Sequence, residues 1–554
     1  MNFYNPIKNK SKLVISFFII FLFSGFLTRD NDIYFEISKG IELFGKVYRE
    51  VTLNYVDEIN PKEFVLAGIE GMLQSLDPYT NFIDINEQKD IDLITKGKYG
   101  GIGASIGLRN DEVTVVDLVE NAPAQRQGMK IGDVIKKIND VEINKDNYEK
   151  LTYYLKGDVG SVVNIVVLRN DEEIIFNLIR EEIEIKNVSF FDFVPKESNN
   201  AYIKLSSFSQ TAGYEVKEAI LILKSKKEIE SLVLDLRGNP GGLLDAAVDV
   251  CEKFLPKGSL VVTVKGRDTT NIKKYFVNEE PILTNQKIVV LVNEFTASAA
   301  EVVAGALQDH DKALIVGENS FGKGLVQTLI PLPYNTSLKL TTAKYFTPSG
   351  RCIQKIDYSK KNDVFLNNSS LKKNQFLTDN KRKVFPSGGI LPDSIVKSDS
   401  EDEIESILKA EGLIFRFVTK YLNDKKEVQI NKINNEEIFR EFKKYLITQK
   451  FSYNPKSLKL IKQLEEFNYR EINENKKLND LFSQLKNNIE QINNNKIDAN
   501  KDKIINELKI EIASRISGKD GRFIESLKND VQFQKSLELI KDSKKYYALL
   551  NIHN

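Results

Sequence analysis

The sequence predicts a multidomain α/β protein of 554 residues: a parallel βαβ core carrying an inserted small β domain, with helical segments at both ends. Three observations predict it. The apolar runs SLVLDL (231–236), KIVVLVN (287–293) and ALIVG (313–317) alternate with amphipathic stretches from Leu243 to Phe254 and from about Ala299 to Gln308, the spacing of parallel strand–helix–strand units. Between residues 89 and 181, short β-branched strands alternate with glycine turns. Beyond residue 400 glycine and proline become scarce and apolar residues fall at helical intervals (Ile404, Ile407, Leu408, Phe415, Phe417, Val418, Tyr421).

In chain order, Lys8, Lys10 and Lys12 precede an apolar run, 13–27. That is the layout of an export signal, and the run is shorter than the roughly 20 residues of a comfortable membrane span. No Ala-x-Ala site or nearby Cys follows, so residues 1–30 are expected to be a signal peptide or a signal anchor. The protein is then exported to the periplasm or cell envelope, with inner-membrane anchorage left open. Residues 31–88 read as helical: Ile37, Ile41, Phe44, Val47, Tyr48 and Val51 lie on one face, Asn60-Pro61 starts a second helix, and LDPYT (76–80) is a turn.

Residues 89–181 contain GGIGASIGL (100–108), EVTVVDL (112–118), NAPAQRQGMKIGDVIKKIND (121–140) and VVNIVVLRN (162–170). This resembles a PDZ domain, through the glycine-rich segment Tyr99, Gly100, Gly101, Ile102, Gly103 and the run APAQRQGMKIGDVI at 122–135. The resemblance implies a backbone nest for a peptide's C-terminal carboxylate, with the peptide added to the sheet edge as a strand. Residues 182–399 form the βαβ core. Residues 400–554 read as a helical extension, broken near Pro455 and Gly518, whose Lys and Glu residues are solvated helix faces and which carries no catalytic constellation.

Composition narrows the function. Lys plus Arg is 79 against 78 Asp plus Glu, a net charge of +1, without the basic excess of an electrostatic nucleic-acid binder. Two Cys (251 and 352) and two His (310 and 553) supply neither a disulfide framework nor a His-rich metal centre, so no cofactor or metal is expected.

The chemistry concentrates in three segments. In LVNEFTASAAEVVAGALQDHD (291–311), Ser298 ends a small-residue turn at a helix N-terminus, where N–H groups and the helix dipole favour a developing oxyanion. His310 would sit roughly 18 Å further along that helix, out of reach. A serine enzyme without histidine needs another base, and a desolvated lysine serves. Lys323, between Gly322 and Gly324 in GENSFGKGLVQ, is the candidate. Gln327 could orient its amine only if the chain turns, because a straight strand would separate them by about 13 Å. RGNPGGLLD (237–245) supplies free N–H groups at another helix start but lacks nucleotide-binding spacings.

In this order after a PDZ domain, DLRGNPGG, NEFTASAAE and GENSFGKGLVQ resemble the C-terminal processing peptidases, or tail-specific proteases, of serine peptidase family S41. SLDPYT (75–80), TPSGRCIQ (347–354) and GGILPD (388–393) match as well. The resemblance implies a spiral of βαβ units like that of ClpP and crotonase, with Ser298 as nucleophile, Lys323 as general base and Gln327 as third member. The oxyanion would be held by Ala299 and by Gly241 or Gly242. Asp309 is sometimes given a relay role, but about 16 Å of helix separates it from Ser298, which leaves Glu301, one turn away, as the better supporting residue. Leu155-Lys156-Gly157 stands where the family often has LRG, so control by the PDZ domain is expected to differ.

The expectation is a cell-envelope serine endopeptidase acting on proteins or peptides with exposed C-termini, working without nucleic acid, with a homo-oligomeric state left open. The alternative from another class is a non-catalytic PDZ peptide-binding scaffold; a further rival is an acyl-CoA enzyme on the same spiral.

Overall fold

A computed structural model describes residues 28–84, 97–109, 111–169, 171–268, 270, 272–358, 375–385, 388–399, 402–425, 428–451, 453, 456–467 and 475–552. The apolar run 13–27, expected as signal or anchor, lies outside them. Among the described residues no helix is long and apolar enough to cross a membrane.

The core is a six-stranded sheet ordered Val188–Phe193, Asn200–Leu205, Ser231–Asp235, Lys287–Val292, Ala313–Gly317, Ser394–Ile395. The first pair is antiparallel and every later pair is parallel. Ser231–Asp235 and Ala313–Gly317 are buried at every position, as strands covered on both faces must be. Alternate side chains go to opposite layers. Leu232, Leu234, Ile288, Val290 and Ile315 pack with helices Ala212–Lys226, Leu244–Glu252 and Ala299–Asp309. Val233, Val289, Leu291, Leu314 and Val316 pack instead with Leu527, Phe533, Leu539, Ile540 and Tyr546. The far face of the sheet is thus closed by the end of the chain.

The described residues of 400–554 are helical, as expected, and they form a packed domain. Helices Glu403–Ala410, Leu413–Asp424, Asn435–Thr448 and Lys501–Lys528 build a core of their own around Leu408, Phe417, Phe442, Leu508 and Ile512. The long helix Lys501–Lys528 kinks at Ser517 and Gly518, where the break was expected; Pro455 lies outside the described residues. Helices Val531–Lys541 and Ser543–Leu549 then dock on the sheet, where Tyr546 Oη donates to Ile288 O at 2.9 Å and accepts from Ile288 N at 2.8 Å.

The inserted domain is a six-stranded antiparallel sheet: Ala104–Arg109, Glu112–Leu118, Val134–Ile138, Val162–Arg169 and Glu172–Ile179 in order, with Val141–Glu142 paired to Val134–Ile138. Ala104–Arg109 is a sheet edge. Of the glycine-rich segment 99–103, only Ile102 and Gly103 lie outside a strand: Lys98–Gly101 pairs with Glu181–Glu184, and Gly100 O accepts from Gly157 N. The domain rests on the C-terminal helices through Lys519–Asp117 at 2.9 Å and Arg515 Nη1 to Ile131 O at 3.4 Å. A second sheet carries Asn81–Ile83, Thr336–Phe346, Leu260–Gly266 and Ile272–Phe276, with Leu325–Leu332 paired to Thr336–Phe346. Its first strand packs with helix Pro61–Gln74, which in turn meets helix Thr28–Asn54 through Tyr48 stacked on Phe64.

Candidate active site

Strand Lys287–Val292 runs through a turn into helix Ala299–Asp309. Ser298 closes that turn at φ 55°, ψ −116°, a conformation side chains of L-residues avoid and one that only tight surroundings maintain. Those surroundings are visible: Thr296 Oγ1 donates to Leu236 O at 2.9 Å, Ala297 N to Asn239 O at 2.9 Å, and Ser298 N to Glu301 Oε2 at 2.9 Å. Glu301 at the third helical position reaching back to the cap is half of a capping box. Burial pushes the pKa of the Tyr345 hydroxyl up to about 12, with Tyr275 adding to the rise and Ser298 opposing it.

Glu301 joins the two candidate catalytic segments. It is fully buried and accepts from Ser298 N and Lys323 N (2.8 Å) on Oε2, and from Ser320 Oγ (2.5 Å) and Gly322 N (2.7 Å) on Oε1. Burial raises its carboxyl above the usual range, and these four donors counteract the rise. Gly322, at φ 86°, lets the lysine loop press on its support: an added Cβ would lie 2.6 Å from Lys355 Cβ and 2.8 Å from Gly388 O. Gly324 N donates to Gln354 Oε1 at 2.7 Å, and Ile390 N to Ser320 Oγ at 2.6 Å. TPSGRCIQ and GGILPD therefore brace the Lys323 loop.

The Lys323 amine is held below the ordinary lysine range, first by burial and then by the charge of Lys339, against the pull of Asp77 and Glu301. It lies over the Tyr79 ring, 4.4 Å from the centroid. No hydrogen bond among the described residues joins it to Ser298 Oγ or to Gln327. Strand Leu325–Leu332 begins after Gly324 and its pairing register shifts between Val326 and Gln327. Gln327 Nε2 donates to Thr341 Oγ1 at 3.3 Å, and Thr341 Oγ1 to Asp77 Oδ1 at 3.2 Å. Asp77 also accepts from Tyr79 N and Thr80 N. Asp77, Tyr79, Lys339 and Tyr345 were not among the residues expected at the site. SLDPYT was the one available signal, and as a turn motif it carried no hint of its destination.

Gly241 meets the nucleophile directly. At φ 96°, an added Cβ would sit 2.9 Å from Ser298 Cβ, 2.9 Å from Ala299 N and 2.7 Å from Ala297 O. Its own N–H, however, donates to Asn239 Oδ1 at 2.8 Å. Of the two glycines expected as oxyanion donors, Gly241 thus has its N–H engaged, whereas the Gly242 N–H has no hydrogen-bond acceptor among the described residues. The Ala299 N–H is one of the unpaired donors of the helix start.

Asp309 and His310 lie at the other end of the helix. Asp309 is buried against Arg351 (2.8 Å) and accepts from Ser349 N; His310 contacts Asp379 Oδ2 and Leu260 O. Tyr99, Gly100, Gly101, Ile102 and Gly103 belong to the inserted domain, at the entry to its edge strand.

Comparison with known proteins gives the same architecture. The family model "Peptidase family S41" matches residues 199–361, "PDZ domain" matches 100–179, and "Probable PDZ-protease, C-terminal helical domain" matches 404–540. A carboxy-terminal-processing protease of Bartonella bacilliformis is 36% identical over 323 residues, 57% of this chain and 73% of that protein. A probable CtpA-like serine protease of Staphylococcus aureus is 35% identical over 313 residues, 55% of this chain and 61% of that protein. Among solved structures, a photosystem II D1 C-terminal processing protease aligns over 64% of this chain and 92% of its own length, with 25% identity and a TM-score of 0.35. With its PDZ insertion, peptidase sheet and C-terminal helical domain, the chain belongs to peptidase family S41, among the carboxy-terminal-processing proteases.

Proposed function

We propose that this chain is a serine endopeptidase of the cell envelope that captures substrate C-termini with its PDZ domain and cleaves through Ser298 and Lys323, with Gln327 as the third member. The observation that carries the reading is the shared oxygen of Glu301, which ties the strained Ser298 turn to the loop of a lysine whose amine is biased toward neutrality. Neutral Lys323 Nζ takes the proton of Ser298 Oγ as the oxygen attacks the scissile carbonyl. The oxyanion is held by the N–H of Ala299 and that of Gly242. Lys323 then returns its proton to the leaving amine, and water, deprotonated in the same way, releases the acid from the acyl-enzyme.

In this reading Lys323 leaves the Tyr79 ring and swings to Ser298 when substrate binds, and Gln327 exchanges Thr341 for the amine. Catalytic hydrogen bonds are commonly loose before the substrate complex forms. The free edge of Ala104–Arg109 supports peptide capture by strand addition. Export rests on the basic and apolar start of the chain. The test is proteolysis of an unstructured peptide by wild type, Ser298→Ala, Lys323→Ala and the double variant. Each single change should cost at least about 10³-fold in kcat, and the double should be no worse, because the residues act as one unit. Substantial turnover by Lys323→Ala would remove lysine as the base.

A further inference from the structure

The last helices do more than close the sheet. Asp530 caps helix Val531–Lys541, its Oδ1 accepting from Gln532 N and Phe533 N at 3.0 Å each. Its Oδ2 lies 2.7 Å from Arg237 Nη1, and Gln532 Oε1 accepts from the same nitrogen at 2.9 Å. Gln532 is only 1% exposed and is fixed in turn by Nε2 donating to Val396 O at 2.8 Å. The rest of the guanidinium grips Asp235 at the end of its strand, with Nε at 3.0 Å from Oδ1 and Nη2 at 2.6 Å from Oδ2.

Arg237 opens the RGNPGG turn, and the next residues lock that turn to the nucleophile. Gly238 N donates to Asn293 Oδ1 at 2.9 Å, Asn239 O accepts from Ala297 N, and Asn239 Oδ1 accepts from Gly241 N. A planar guanidinium held on two edges by separate partners fixes orientation as well as position. Holding the helix to the sheet does not require this pair, since Phe533, Leu539 and Ile540 already supply an apolar contact. Buried ion pairs are also often no more stabilising than apolar replacements.

We propose that Asp530 and Gln532 of the C-terminal helical domain are positioning residues for the peptidase reaction, acting through Arg237 to set the RGNPGG turn against Ser298. The proposal rests on Ser298 being the nucleophile. It gives the C-terminal domain a part in catalysis that its sequence did not suggest.

The test uses the full chain. Asp530→Asn/Gln532→Met keeps a helix-capping side chain but removes the charge and the Oε1 acceptor presented to Arg237. Cleavage of an unstructured peptide gives kcat and KM, labelling of Ser298 by a fluorophosphonate gives the acylation rate, and thermal unfolding reports the folded fraction. The expected result is a roughly tenfold fall in kcat and in labelling rate with KM within about twofold. Arg237→Lys combined with Asp530→Asn should be non-additive in kcat. Wild-type kcat in the folded double variant, or a change confined to KM, overturns the proposal. If the double variant does not fold, Asp530→Asn and Gln532→Met alone decide it: each should lower kcat several-fold, and unchanged kcat in both overturns it. An inactive wild type, or full activity of Ser298→Ala, overturns the nucleophile reading and this proposal with it; a silent double variant in an enzyme that needs Ser298 overturns this proposal alone.

Discussion

Ser298 and Lys323, 25 residues apart in the chain, donate their backbone N–H groups to the same oxygen, Glu301 Oε2, at 2.9 and 2.8 Å. The two residues proposed to exchange a proton are thus held by one buried carboxylate that touches neither side chain's reactive atom.

Glu301→Gln should therefore injure both segments at once. An amide has one acceptor oxygen and presents an NH2 to donors that faced the other, leaving buried N–H groups unpaired at about 1–3 kcal/mol each. Thermal or urea unfolding should show a loss of roughly 2–4 kcal/mol, and kcat should fall in the fraction that stays folded. A variant with wild-type stability and rate would show that the shared carboxylate is dispensable.

Activity should rise with pH through the apparent pKa of Lys323, since only its neutral form accepts a proton. The lowered pKa places that rise below the ordinary lysine range. The neighbouring charges then predict opposite displacements. Lys339→Met removes a cation that lowers the pKa, so the rise should move to higher pH. Asp77→Asn removes an anion that raises it, so the rise should move to lower pH. The pH dependence of kcat/KM for the three proteins checks both signs.

Gly241→Ala should be nearly inactive while remaining folded. The methyl group would fall within 2.9 Å of both Ser298 Cβ and Ala299 N, at a φ that alanine resists. A loss of about 10²-fold or more in kcat is expected from displacing an oxyanion donor. Peptide turnover alongside circular dichroism separates this from unfolding.

Amidating a substrate's C-terminus removes the charge that the segment 99–103 would hold beside its edge strand. Cleavage of the amidated peptide should fall, mainly through KM. Equal kinetics for free-acid and amidated peptides would mean that the domain packs against the peptidase without selecting C-termini.

Much of this protein is determined by local sequence. The mainly apolar runs 231–236, 287–293 and 313–317 required strands buried on both faces, because their apolar residues are consecutive rather than alternating. The small-residue turn before Ala299 required a helix start at Ser298, and the helix rise alone separated His310 and Asp309 from it. The tertiary structure decided the rest. Strand periodicity says that two faces are covered but not by what, so the docking of 527–550 on Val233, Val289 and Leu314 could not be read from spacing. The same limit hid Tyr79 beneath Lys323, the commitment of Gly241 N–H to Asn239, and the reach of Asp530 to Arg237 across nearly 300 residues. Periodicity and capping are properties of neighbours in the chain, whereas a side chain's partner across the fold is set by how whole layers pack.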